Sequence, residues 1–202
     1  MLQRKRWVWL VGIVAAAYVL SWVLYPSDRS PKGAYYRVTS AVNSGNAEQL
    51  FPYLETAAQH AAFTIHKYSV DALARVDEAY PPDVARSERL RFAQVAELEP
   101  GPGVFAWYAE RLGWMDRLRR DLSGVAHVDA KGERATVETV RGTRYAFRRR
   151  DNGMWGLTSF TSQLVADAEK AARDYSLIDA AAADYQRAQA QASQPTATVS
   201  PP

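Results

Sequence analysis

Three histidines, His60, His66 and His127, are the side chains in this chain best suited to moving protons near neutral pH. His60 and His66 are six residues apart, about 240° around a helix, so they do not share a helix face. A zinc-type site needs three or more ligands at closer spacing, so the sequence predicts no metal. His66 or His60, with a nearby carboxylate such as Asp71, is the candidate pair for acid–base catalysis. Ordinary packing on a helix face is the competing interpretation.

Other catalytic and cofactor motifs are absent from the sequence. No Gly-x-Ser-x-Gly elbow, phosphate-cradling glycine loop or dinucleotide fingerprint occurs. The chain has no cysteine, which excludes disulfides, thiol catalysis and thiolate metal sites. We therefore expect no cofactor, and the sequence favours a non-catalytic role over an enzymatic one.

Arginines are concentrated between residues 141 and 150. On an extended strand, Arg144, Arg148 and Arg150 share one face, while Tyr145 and Phe147 share the other. The three arginines are candidates for contact with an anion or a lipid headgroup. The competing interpretation is a solvated sheet face whose charge is balanced by nearby acidic residues.

Five aromatic residues are candidates for lining an apolar ligand pocket. They are Trp107, Trp114, Tyr145, Phe147 and Trp155. The spacing of the first two is also typical of a buried helix face, so core packing is the competing interpretation for them.

The N-terminal segment 7–25 reads WVWLVGIVAAAYVLSWVLY and has no charged residue. About 20 apolar residues, at 1.5 Å each, cross a hydrocarbon core about 30 Å thick. The preceding residues 1–6 include three basic ones, and basic residues beside a first span stay in the cytoplasm. We expect a single-pass helix in the cytoplasmic (inner) membrane, with the N-terminus inside and the remainder periplasmic or extracellular. A cleaved leader is the alternative, but its apolar run is usually only about 7–15 residues.

The formal charge of +3 does not indicate a nucleic-acid partner. The chain has 25 basic and 22 acidic residues, and three of the basic ones precede the apolar segment. The remainder is neutral overall and produces no long-range field that would attract nucleic acid. We expect instead the membrane, a protein partner or a second copy of the chain.

The periodicity beyond residue 25 predicts an α+β fold. A polar linker at 26–31 is followed by an extracytoplasmic domain at 32–161. Apolar residues at steps of three and four predict helices to residue 122, including one over about 47–80, where Pro52 is a candidate bend, and one over 104–122. From residue 124, alternating residues and glycine-containing turns predict an antiparallel meander. Helices before strands indicate that helices cover one face of the sheet.

A long helix is predicted at 162–190, followed by a disordered tail at 191–202. Its apolar residues repeat at steps of four and three: Leu164, Ala168, Ala171, Tyr175, Ile178, Ala182 and Tyr185. This heptad seam has two interpretations, packing on the chain's own domain or a coiled coil with a second chain. An alanine-rich seam buries little area, which favours packing on the domain.

Two short segments resemble motifs of the nuclear transport factor-like superfamily, a cone-shaped α+β fold. Residues 132–137 read GERATV, residues 151–157 read DNGMWGL, and the likeness extends over 31–160. The resemblance implies a cone with an apolar pocket. Its members include enzymes, ligand binders and non-catalytic assembly domains, so the fold does not choose among functions. A single-span anchor with an outer cone is similar to tethered assembly components of bacterial type IV secretion machines.

Three functions are consistent with these features. The first is an anchored, non-catalytic domain that binds a partner protein or an apolar ligand. The alternatives are a cone-pocket enzyme that uses histidine and carboxylate acid–base chemistry on a small substrate, and a module that oligomerises through the C-terminal helix.

Overall fold

A computed structural model describes residues 27–193. The anchor expected at 7–25 and most of the expected tail lie outside these residues. Within 27–193, no helix has both the length and the apolar character needed to cross a bilayer.

The described chain is an α+β protein with a four-stranded antiparallel sheet and a long C-terminal helix. Its helices are α1 (Pro31–Ser44), a 3₁₀ helix (Glu48–Tyr53), α2 (Thr56–Ala79), α3 (Pro82–Ala96), α4 (Pro102–Arg111), α5 (Trp114–Asp121) and α6 (Thr161–Ala192). The strands are β1 (Val125–Lys131), β2 (Arg134–Thr139), β3 (Arg144–Arg149) and β4 (Trp155–Leu157).

These elements form two compact units, each assembled from two chain segments. The sheet unit consists of residues 27–56 and Leu112–Ser159, and the helical unit consists of Ala57–Arg111 and 160–193. The sheet, α1 and α5 therefore belong to the first unit, and α3, α4 and α6 to the second.

The sheet is a meander in the order β1-β2-β3-β4, as the alternation predicts. A short extended segment lengthens it beyond β4. Leu54 forms a parallel bridge with Leu157, and the backbone N–H of Glu55 donates to the Leu157 carbonyl at 3.0 Å.

Alternation along the strands separates a buried face from an exposed one. In β3, Tyr145 and Phe147 are buried while Arg144 and Arg148 are exposed. The buried face packs against α1, whose first turn is capped by Ser30 through its side-chain oxygen. Fully buried members of this core include Tyr35, Val38, Val42, Leu50, Leu54, Val137 and Leu157.

Two predicted helices are each interrupted. The helix predicted from residue 47 begins only at Thr56, because Pro52 lies in the 3₁₀ helix and Leu54 is extended, with φ −79° and ψ 156°. The helix predicted over 104–122 is divided at Gly113, whose φ of +63° is left-handed. That conformation ends an α-helix and is easily adopted only by glycine.

Helix α6 contributes to the hydrophobic core of the helical unit. Ile178 packs with Ala72 and Val76 of α2 and with Ala85 and Phe92 of α3. Four of the predicted seam positions are buried: Leu164, Ala168, Ile178 and Ala182. The contacts of Ile178 favour packing of this seam on the chain's own helices over pairing with a second copy.

Candidate functional site

A cleft of about 300 Å³ lies on the exposed face of the sheet. It is lined by Glu55, Arg134, Ala135, Thr136, Ala146, Phe147, Arg148 and Thr158. All eight residues belong to the sheet unit, and four of them are exposed-face positions of β2 and β3. The strand alternation that buries the core on one side therefore presents charged and hydroxyl groups on the other.

Glu55 contributes a buried carboxylate at one side of the cleft. Its side chain is only 8% exposed, and its Oε1 accepts a bond from Nη1 of Arg148 at 3.1 Å. A buried charge lowers the stability of the fold unless an opposite charge compensates it. The Arg148 guanidinium compensates the Glu55 carboxylate, and the same hydrogen bond holds the Arg148 side chain at the cleft.

The position of Glu55 depends on a close backbone approach. Gly156 faces the Leu54–Glu55 segment, and a Cβ atom on Gly156 would lie 2.6 Å from both Glu55 N and Leu54 O. Only glycine permits this approach, which places Glu55 beside Arg148 at the sheet margin.

Three basic residues form a row across the exposed face. Lys131 is the direct cross-strand partner of Arg134, which is in turn the partner of Arg148. Like charges directly opposite on neighbouring strands are destabilising. Among residues 27–193, carboxylates pair with only the two ends of the row: Asp129 pairs with Lys131 at 3.3 Å, and Glu55 pairs with Arg148.

Arg134, in the middle of this row, differs from its neighbours. Among residues 27–193 it forms no ion pair, and its side chain is exposed at the edge of the cleft. Thr136, two residues along β2, is half-buried, and its hydroxyl makes no hydrogen bond within the described chain. The Arg134 guanidinium and the Thr136 hydroxyl are therefore the polar groups of the cleft that remain available to a ligand.

The three arginines predicted to contact an anion have different partners. Arg144 donates to Glu138 at 3.1 Å on the exposed sheet face, away from the cleft lining. Arg148 lines the cleft, and Arg150 donates to the Pro52 carbonyl at 2.6 Å. Contact of these arginines with an anion stays a prediction.

Six of the eight cleft residues, among them Glu55, Arg134 and Thr136, are not among the predicted site residues. Residue 55 lies within the helix predicted over about 47–80, and that prediction gives its carboxylate no specific role. Arg134 follows the glycine turn at 132, and its exposed alternate position in β2 was the available signal. Its pairing with Arg148 depends on the register between strands.

The aromatic pocket candidates are distributed between the two units. Trp114, Tyr145, Phe147 and Trp155 are buried in the sheet unit, and Phe147 also borders the cleft. Trp155 Nε1 donates to the Arg29 carbonyl at 3.1 Å, which ties the start of the described chain to β4. Trp107 lies in α4 of the helical unit.

Within the helical unit, the half-buried Trp107 ring lies at 5.0 Å from Tyr108, measured between ring centroids, and at 5.1 Å from the Arg111 guanidinium. Burial, followed by the negative charge of Asp167, raises the pKa of Tyr108. Both causes favour the neutral hydroxyl, so Tyr108 is not a base at neutral pH.

A pair of tyrosines lies beneath the sheet, on its buried side. The rings of Tyr35 and Tyr145 are 5.5 Å apart, and the Tyr35 hydroxyl donates to the Ser123 carbonyl at 2.7 Å. The buried Tyr145 hydroxyl has no hydrogen-bond partner within the described residues. Burial, with smaller contributions from Tyr35 and Asp121, raises the pKa of Tyr145 to about 12.

The residues predicted for acid–base chemistry lie on α2. His60 is exposed, His66 is half-buried, and Asp71 binds Lys67 at 2.5 Å. None of them lines the cleft, and their catalytic role stays a prediction. In the part of the chain that the structure covers, no group of three or more histidine, aspartate or glutamate side chains is arranged to hold a metal.

The fold and the cleft define an α+β protein with an open, arginine-lined sheet face. Comparisons with protein-family models, with curated proteins and with solved structures each find no match for this chain.

Proposed function

We propose that this chain is a single-pass membrane protein whose extracytoplasmic domain binds a partner protein through the exposed face of its sheet and has no catalytic activity. The cleft at Glu55, Arg134 and Arg148 is the observation that supports this proposal. It is open, partly polar and about the size of one or two amino-acid side chains, which suits a segment of another protein better than an apolar ligand.

The linker supports a defined position of this face relative to the proposed anchor. The backbone N–H of Trp155 donates to the Asp28 carbonyl at 3.3 Å, and its indole donates to Arg29. Asp28 is three residues beyond the apolar segment that ends at residue 25, a contour of at most about 11 Å. In the anchored protein, strand β4 is therefore held close to the bilayer and the partner is met near the membrane surface.

The nuclear transport factor-like resemblance implies helices before an antiparallel sheet, and the described chain has this order of elements. In the proposed arrangement the buried face of the sheet is filled by α1 and by side chains such as Tyr145, so recognition uses the opposite face. Cone-pocket catalysis through His66 or His60 remains the enzymatic alternative, and it requires a cavity on α2.

Membrane topology can be tested because the chain has no cysteine. Single-cysteine variants Gln3→Cys and Ala188→Cys place one thiol in the basic tail and one on the exposed end of α6. In intact cells, a membrane-impermeant maleimide should label Ala188→Cys and leave Gln3→Cys unlabelled until the cells are lysed. Labelling of neither variant before lysis, or of Gln3→Cys alone, would refute the extracytoplasmic location.

Partner binding through the cleft can be tested with a photoreactive amino acid placed at Thr136. A matched control carries the same residue at Glu169, an exposed position of α6. Irradiation of intact membranes should give a discrete adduct from position 136 and none from position 169. The same adducts from both positions, or from neither, would count against the sheet face as the binding surface.

A further inference from the structure

We propose that the cleft binds a carboxylate group, held between Arg134 and Arg148 with the Thr136 hydroxyl as a further donor. This inference deepens the proposed function and rests on it for the biological source of the ligand, a carboxylate of the partner protein. The cleft itself lies entirely within the sheet unit.

The first support is the uncompensated charge of the basic row. Lys131, Arg134 and Arg148 are consecutive cross-strand partners, and within the described part of the chain only Lys131 and Arg148 have carboxylate partners. An anion between Arg134 and Arg148 would relieve the repulsion between these two guanidinium groups. Arginine is well suited to this because its planar guanidinium offers paired donors that match a carboxylate.

The second support is the net charge of the lining. The cleft contains two guanidinium groups and one carboxylate, Glu55, so its formal charge is one positive unit. A carboxylate ligand brings the cleft to neutrality. A phosphate dianion would leave it negative, with the excess charge beside the buried Glu55, which opposes binding.

The third support is geometric. Arg134 and Arg148 are directly opposite on β2 and β3, with Thr136 and Ala146 forming the next cross-strand pair. Directly opposite Cβ atoms are about 4.5–5.5 Å apart, so both guanidinium groups can reach one ligand. Small Ala146 leaves space next to them, and Thr136 supplies an unused hydroxyl donor.

The experiment uses the full chain in lipid nanodiscs, labelled with ¹⁵N-arginine, and follows the Nε–Hε resonances by NMR at pH 7.5. Three peptides serve as probes: N-acetyl-Gly-Ala with a free C-terminus, the same peptide as its amide, and N-acetyl-Gly-Asp amide. Inorganic phosphate is the fourth probe. The first and third peptides distinguish a chain-terminal carboxylate from a side-chain carboxylate.

We expect saturable shifts of the Arg134 and Arg148 resonances with at least one of the two carboxylate peptides, and no saturable shift with the amide. Arg134→Gln should weaken that binding about tenfold. Arg117→Gln is the control, because Arg117 is an exposed arginine of the same unit that does not line the cleft. Its affinity should stay within about twofold of the unsubstituted chain.

Equal binding of the amide peptide, tighter binding of phosphate, or unchanged affinity in Arg134→Gln would each overturn the inference. Failure of this titration is distinguishable from failure of the proposed function. If the titration alone fails, the carboxylate peptides do not bind, but the adduct at position 136 and the maleimide labelling pattern are still found. If the proposed function alone fails, the peptides bind, but the labelling shows that the domain is not extracytoplasmic.

Discussion

A Cβ atom added to Gly156 would lie 2.6 Å from the backbone nitrogen of Glu55. This approach lets the Glu55 N–H reach the Leu157 carbonyl and extends the sheet beyond β4. The same contact fixes the buried carboxylate that pairs with Arg148. The extension of the sheet at Leu54 and the position of the Glu55 carboxylate thus both depend on a glycine at position 156.

Gly156→Ala should lower the free energy of unfolding by about 1–3 kcal/mol, because the Leu54–Glu55 backbone must move to admit a methyl group. Chemical denaturation followed by tryptophan fluorescence measures the change. Gly124→Ala is the control, since its Cβ would meet only Val140 Cγ2 at an ordinary 3.5 Å. The control should remain within about 1 kcal/mol of the unsubstituted chain. Equal stability of the two variants would show that the close approach is absent.

Tyr145→Phe and Tyr35→Phe should change stability in opposite directions, although the two rings are neighbours. The Tyr145 hydroxyl is buried without a hydrogen bond among residues 27–193, so its removal should raise the free energy of unfolding by about 1 kcal/mol. The Tyr35 hydroxyl donates to Ser123 O and accepts from Ser123 N. Its removal should cost about 1–2 kcal/mol. Denaturant titrations at pH 7 would contradict this if both variants were destabilised alike.

The raised pKa of Tyr145 predicts a loss of stability at alkaline pH. An unperturbed tyrosine has a pKa of 10.0, whereas burial raises that of Tyr145 to about 12 in the folded chain. Between these values the unfolded chain has released the proton and the folded chain retains it, so stability falls as pH rises. Unfolding measured from pH 9 to pH 12 should decline more steeply for the unsubstituted chain than for Tyr145→Phe. Parallel pH profiles would argue against a buried, neutral phenol.

Asp174, on α6, predicts the opposite dependence at acidic pH. Burial opposes its ionisation, but hydrogen bonds from Lys170 and Arg91, each at 2.7 Å, hold its pKa below the ordinary value of 3.8. The stabilisation is therefore complete above about pH 5 and is lost as pH falls through the lower folded-state pKa.

Asp174→Asn should lower the free energy of unfolding by about 1 kcal/mol at pH 7, with the difference shrinking below about pH 4. Glu169→Gln is the control, because its pair with Arg173 is 3.9 Å long and exposed on both sides. Thermal unfolding at pH 7 and at pH 3 tests both variants. A difference for Asp174→Asn that persists undiminished at pH 3 would exclude this carboxylate as the titrating group.

The sheet was the most predictable part of the fold. Alternating residues and glycine turns predicted the antiparallel meander, because one face is buried and the turns need left-handed residues. The division at Gly113 was not predictable, since apolar residues continue at helical spacing on both sides of it. Glu55 could not be found, because the extended segment around Leu54 is too short to show a period of two. The Arg134–Arg148 pair depends on strand register, which periodicity alone does not give.

Each compact unit is built from two stretches of chain separated by part of the other unit. No single cut in the sequence can therefore isolate either unit intact. A fragment ending near residue 160 would retain both segments of the sheet unit but would leave α2, α3 and α4 without α6. On the ribosome, both segments of the sheet unit have emerged once residue 159 has left the exit tunnel, whereas the helical unit must wait for α6.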